Sequence, residues 1–261
     1  MTITMRPAAG KRPKRAPMDA TRKTAFLAGA LFLITYLASI PPKIALYPPL
    51  LGHADYITGA GGDTPALWGA FLEVILIIAN VGSAVVLFSV LKRQHEGLAL
   101  AFVGARIVES AFIAVGILSI LSLVTLRQDF GGADAAAYEP VAQALVAIHD
   151  WTFQLGPGFV VGVGNGLILG YLMYRSGLVP RRMAVLGLIG GTMICLSGTA
   201  VIFDLIQPDS PAQLIASVPE FLWELWFGIY LMVKGFKPSA ITAEINAEAA
   251  QPVTSEQEAH S

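Results

Sequence analysis

Eight ionisable side chains stand inside or at the edge of long apolar stretches of this chain: Glu73, Arg106, Glu109, His149, Asp150, Asp204, Glu220 and Glu224. A charge at the centre of a bilayer costs about 2.5–3.5 kcal/mol on insertion scales, so each calls for a partner or a use. Arg106 and Glu109 are three residues apart and Glu220 and Glu224 four apart, so each pair shares one helix face. A guanidinium takes carboxylates bidentately, and one reading is a buried clamp tying the helix of Arg106 to that of Glu224. A second reading starts from stoichiometry. One Arg cannot neutralise Glu109, Glu220 and Glu224 together, and a surplus of acid is what a proton or cation relay requires. A different pairing of these groups is the third.

His149-Asp150 invites catalytic or metal chemistry, because a carboxylate can orient an imidazole and metals favour both ligand types. Glu73 or Asp204, from other helices, would complete such a site. Adjacent helical residues point about 100° apart, however, so the two need not serve one centre. His53, His95 and His260 fall in expected loops or the tail, which argues against a bis-His haem and a three-His zinc site. Interfacial hydrogen bonding beside Trp151, an aromatic of the headgroup level, is the competing account. No metal and no cofactor are called for.

The elements that must position these groups are apolar runs of about twenty residues, the length that crosses about 30 Å of hydrocarbon. Six such runs cover 24–40, closed by Pro41-Pro42; 66–91; 98–125; 155–173, with a more polar approach from 141; 183–206; and 214–234. Composition agrees: 55% of the 261 residues are hydrophobic and 13% charged, and mean hydropathy is +0.65. A soluble domain carries about 25% charge, so a soluble globular chain is excluded. The fold class expected is all-α: a polytopic helical membrane protein with six transmembrane helices. A secretory-signal reading of the first run is rejected, since it has the length of a span and lacks a good cleavage site. Cys195 is alone and can form no internal disulfide.

Orientation follows from Lys and Arg, which cytoplasmic segments retain. Fourteen fall on one side, in residues 1–23, the turns 92–97 and 174–182, and after the last run; Lys43 and Arg127 fall on the other. Both termini are therefore expected in the cytoplasm of a multi-pass cell-membrane protein. Residues 1–22 form a basic N-terminal segment whose K-R-P-K-R run reads as a positive flank or headgroup contact rather than a nucleic-acid tag. Residues 23–237 form the six-helix domain, and 238–261, rich in Ala, Glu, Ser and Gln, read as a disordered polar tail. The expected partner is the lipid bilayer, with no nucleic acid; oligomeric state is open.

Counting upward from each cytoplasmic helix end gives two polar layers. Asn80, Arg106, Glu109, Asn165 and Glu224 fall at roughly 12–17 Å, near the midplane. Glu73, His149, Asp150, Gln154 and Asp204 fall at roughly 27–36 Å, near the outer surface, with Glu220 between the layers at about 21 Å. Gly158, Gly162, Gly166 and Gly170 recur every fourth residue, and small residues at that spacing let helix backbones approach closely. Gly187 and Gly191 are the nearest candidate surface for that stripe. Pro157, which frees a backbone carbonyl, is expected to kink the helix.

Several segments together resemble a known family. They are A-L-W-G-A-F-L-E-V-I-L-I-I-A-N with Glu73 and Asn80, L-K-R-Q-H-E-G-L-A-L at 91–100, A-R-I-V-E-S at 105–110, V-A-I-H-D-W-T-F-Q-L-G-P-G at 146–158, L-V-P-R-R at 178–182, and W-E-L at 223–225 with V-K-G-F at 233–236. The sequence resembles, over about residues 22–238, the bacterial membrane-protein family catalogued as domain of unknown function 4386. The resemblance implies a polytopic helical membrane protein and brings no catalytic residues with it. Three functional classes therefore stand. The first moves or senses a small solute or ion through the polar layer. The second is a membrane-embedded enzyme with His149, Asp150 and Glu73 at an outer-leaflet site. The third is a helical bundle that organises partner proteins. The chain has no nucleophile motif, phosphate loop or redox thiol pair, which ranks the first ahead.

Overall fold

The computed structural model describes residues 18–51, 57, 62–131 and 135–251. Among these residues every regular element is helical. Six helices are long and apolar enough to cross a membrane: α1 Ala20–Leu51, α2 Asp63–Leu91, α3 Glu96–Phe130, α4 Ala135–Ser176, α5 Arg181–Ile202 and α6 Pro211–Val233. A shorter helix, α7, spans Ala240–Ala250. The chain is an all-α, polytopic helical membrane protein.

Local chemistry sets the helix ends. Asp19 caps α1 by accepting from the Arg22 backbone N–H at 2.7 Å, and Ser210 caps α6, with Pro211 in its first turn. α4 stops at Gly177, whose φ of +66° is the left-handed turn that glycine adopts without strain.

Four boundaries differ from the sequence reading. Pro41-Pro42 does not close α1: both prolines sit at helical dihedrals, and a π-helical turn, Pro42–Leu46, carries the chain on to Leu51. Proline costs a helix its missing N–H rather than its dihedral angles, and the wider turn absorbs that loss. α4 begins at Ala135, far before the apolar run, which leaves 131–134 as the only link between α3 and α4. α5 ends at Ile202, so Asp204 lies beyond it. Part of the expected disordered tail, Ala240–Ala250, is a helix started by a Ser239/Thr242 capping box. Residues 1–17 of the basic segment, His53, and 252–261 of the tail with His260 lie outside the described residues.

Each span packs on its neighbours in the chain and α6 returns against α1, so the six helices form a closed ring in chain order. The closing seam is a backbone approach: a Cβ on Gly29 would lie 2.5 Å from the Gly228 carbonyl oxygen. Residues 21, 93 and 246 meet at one end, where Asn246 bonds Thr21 and Arg93 pairs with Glu244 and Glu248. We call this the terminal end. The terminal half of the ring is filled by an apolar core that includes Phe32, Leu87, Phe102, Leu169, Trp223 and Phe227. The outward faces carry exposed Phe26, Leu37, Ile78, Leu118, Leu196 and Trp226, the surface that meets hydrocarbon. The opposite half holds smaller apolar clusters, around Leu50, Ile120 and Leu123 and around Ala38, Leu76 and Ile113, and is filled only in part.

Candidate functional site

A cavity of about 360 Å³ occupies that half, walled by every span. At its mouth Lys43, from the π-turn of α1, pairs at 2.8 Å with Asp209 of the α5–α6 link. A second cavity of about 510 Å³ shares Lys43, Glu73, His149, Phe153, Gln154 and Asp209 with the first, so the two adjoin. The first reaches inward to a blind end lined by Asn80, Arg106, Glu109, Glu220 and Glu224.

The blind end holds most of the expected midplane layer. Arg106, 2% exposed, donates from Nη1 to Glu109 at 2.8 Å and from Nη2 to the Asn80 carbonyl oxygen. Asn80 completes the triangle by donating from Nδ2 to Glu109 at 3.1 Å. The clamp expected between Arg106 and Glu224 is corrected by this geometry: the guanidinium ties α3 to α2. Among the described residues it makes no ion pair with Glu224. Asn165 of α4 bonds the Glu224 carboxylate instead, and the Asn165 backbone carbonyl accepts the Trp223 indole N–H at 3.0 Å. A neutral amide can do this because it offers donors without a charge to desolvate.

Glu220 belongs with this group and not with the outer layer. It is 2% exposed, and neither carboxylate oxygen has a hydrogen-bond partner among the described residues. It sits in a notch of small residues: a Cβ on Gly166 or Gly190 would come within 2.6 or 2.7 Å of its Oε2. Those glycines are what admit a carboxyl between α4, α5 and α6.

The outer residues divide. Glu73 accepts from the Tyr47 hydroxyl at 2.7 Å, and the Tyr47 ring meets His149 edge-on with centroids 5.3 Å apart. His149 Nδ1 and Asp150 Oδ1 lie 3.3 Å apart, so these adjacent residues do touch, although the Asp150 side chain is 65% exposed. Gln154 accepts from Gln213 across the α4–α6 gap. Asp204 leaves the cluster. It stands exposed beyond α5 with φ of 55°, and its carboxylate takes Gln207 instead. Among the described residues no three His, Cys, Asp or Glu side chains form a group that could hold a metal ion.

The glycine stripe packs α4 on α5 as its spacing implies. A side chain on Gly162 or Gly166 would strike Ile194 or Gly191, and one on Gly170 would lie 3.3 Å from the Leu188 nitrogen. Gly187, the other expected partner, lies against Gly170, its carbonyl carbon 3.5 Å from a Cβ there, while its own missing side chain makes room for the Trp223 ring; a Cβ on Gly158 would meet its own helix at Phe153. Around Pro157 the helix widens into π turns, Gly156–Val160 and Gly162–Leu169, the local irregularity that proline and glycine permit. Two site residues had escaped sequence reading. Tyr47 lies beyond the supposed proline stop, and Tyr36, a cavity-wall residue, donates to the Phe221 carbonyl at 2.7 Å.

No curated protein and no solved structure matches the chain. Residues 27–235, which include all the cavity groups named above, match the family described as Domain of unknown function (DUF4386), and the chain belongs to that family.

Proposed function

We propose that this protein sits in a bacterial inner membrane with both termini in the cytoplasm, and that it takes a small solute or ion into the polar cavity to move it or to sense it. The observation that carries the reading is Glu220, a buried carboxyl on the wall of the cavity that has no hydrogen-bond partner among the described residues. A purely structural bundle gains nothing from an unsatisfied buried acid, which costs about 1–3 kcal/mol or more. The orientation draws support from the helix ends: Arg22, Arg93, Arg175, Arg181 and Lys234 lie at the terminal end, whereas Lys43 and Arg127 lie at the other. The mouth then faces away from the cytoplasm.

The test uses a cysteine at Ser217, which lines the cavity, and one at Ala99 in the sealed core, both in a Cys195→Ser background in liposomes. An impermeant thiol reagent should label position 217 and not position 99. Movement predicts labelling of 217 from either face of the membrane, whereas sensing predicts labelling from the mouth side alone. Folded protein that is labelled from neither side would overturn the reading.

A further inference from the structure

We infer that the blind end of the cavity is a site for a small organic cation with an apolar body, such as a primary alkylammonium, whose head lies between the carboxylates of Glu220 and Glu224. The inference rests on the cavity reading above and adds the chemical class of the ligand.

The charge inventory points to a cation. Among the described residues Arg106 is the only basic side chain at the blind end, and two of its three nitrogens are committed to Glu109 and Asn80. Glu109 is thereby neutralised. Glu224 is bonded by neutral Asn165, and among the described residues Glu220 has no hydrogen-bond partner, so one guanidinium already paired with Glu109 faces two further carboxylates. Glu220 and Glu224 are four residues apart on one face of α6, and both residues line the cavity. An anion would find only Arg106 Nε free to donate, in a volume already bordered by Glu109, Glu220 and Glu224. An ammonium head instead brings three donors, enough for Glu220, which has none among the described residues, and for a further one to Glu224.

Size and wall chemistry select an organic cation over a bare ion. About 360 Å³ lies within the range of small-molecule pockets, roughly 300–1,000 Å³, and is far larger than a monatomic ion needs. Most of the wall is hydrocarbon: Ile40, Leu76, Ile113, Val161, Ile194 and Leu214 all line it. Tyr36 and Phe221 also line the cavity, packed edge-on with centroids 4.9 Å apart, and aromatic faces there attract an alkylammonium. A carboxyl pair at the bottom of an apolar sleeve matches a head on a short chain.

The experiment measures protection of the Ser217→Cys variant from thiol labelling, in purified full-length protein, by n-hexylammonium, n-hexanol and hexanoate. These three probes share a chain and differ in head charge. Hexylammonium should protect at concentrations about tenfold lower than the other two, the advantage expected when a charged donor meets an unpartnered carboxylate. Glu220→Gln, which keeps the shape, should erase that advantage. Glu224→Gln should reduce it, and serves alone if the first variant does not fold. Equal protection by all three probes, or stronger protection by hexanoate, overturns the cation assignment and leaves the cavity reading standing. Labelling at 217 that no probe alters also overturns the assignment. Failure of 217 to be labelled at all overturns both.

Discussion

Arg106 donates to Asn80, a residue 26 positions earlier on the adjacent helix, while its second donor holds Glu109 one turn along its own helix. The guanidinium therefore serves the α2–α3 seam, and the α4–α6 seam is served separately by Asn165 and Glu224. Arg106→Ala strands Glu109 in a site with 5% exposure, and the loss expected for breaking such a pair is about 3–5 kcal/mol. A double-mutant cycle separates the seams. Arg106 and Asn80 should show a coupling of about 1–3 kcal/mol, and Asn80 with Asn165 about 0.5 kcal/mol or less, measured by reversible unfolding in mixed micelles. Equal couplings would mean one continuous network.

Glycines at the seams differ sharply in what a methyl would meet. At Gly166 an added Cβ would run into the Gly191 backbone, whereas at Gly104 it would meet nothing within 4 Å. Gly166→Ala should lower the melting temperature by several degrees, because backbones in contact cannot yield as a flexible side chain can. Gly104→Ala should raise it slightly, since alanine is favoured over glycine inside a helix by about 1 kcal/mol. Thermal unfolding of the two variants in one detergent checks both signs. A neutral Gly166→Ala would show that α4 and α5 do not approach as described.

Which residues could meet was legible from the sequence in part, and direction around the ring was not. Asn80, Arg106 and Glu109 bond to one another and Asn165 bonds Glu224, contacts that residues at similar distances from their helix ends can make. Which of them touch depends on rotation about each helix axis and on ring order, and neither leaves a mark in a single span. The Arg106–Glu109 contact was readable because it is local; the Arg106–Asn80 contact was not. Asp204 was misplaced by a helix end four residues too late, and Tyr47 was hidden by taking Pro41-Pro42 as a stop. The α4 stripe announced itself by repetition. Gly29 and Gly228, which close the ring, are isolated glycines and gave no such signal.

Tyr47 holds Glu73 by the single hydrogen bond that reaches this 7% exposed carboxyl among the described residues, and its ring fills the space above Gly69. Tyr47→Phe keeps the ring and removes only the donor. The expected loss is about 1–3 kcal/mol, the cost of leaving a buried acceptor unsatisfied. Adding Glu73→Leu to Tyr47→Phe replaces both partners by apolar groups and should restore most of it. Stability of the single and double variants in the same detergent decides the matter. If Tyr47→Phe is as stable as the parent, water already reaches Glu73 from the outer cavity.

Orientation can be tested at residues whose exposure the structure fixes. Leu205, in the α5–α6 link, is 75% exposed, and Lys234, just past α6, is exposed at the terminal end. A reporter at position 178, in the α4–α5 turn, would be silent for the wrong reason, because Leu178 is fully buried. In a Cys195→Ser background, Leu205→Cys should react with an impermeant thiol reagent in intact cells. Lys234→Cys should react only after the membrane is permeabilised. This pattern follows from the fourteen basic residues assigned to one side against two on the other, since each Lys or Arg near a span end resists translocation. The reverse pattern would put the cavity mouth in the cytoplasm and would make any ligand an intracellular one, with the blind end and its carboxylates unchanged.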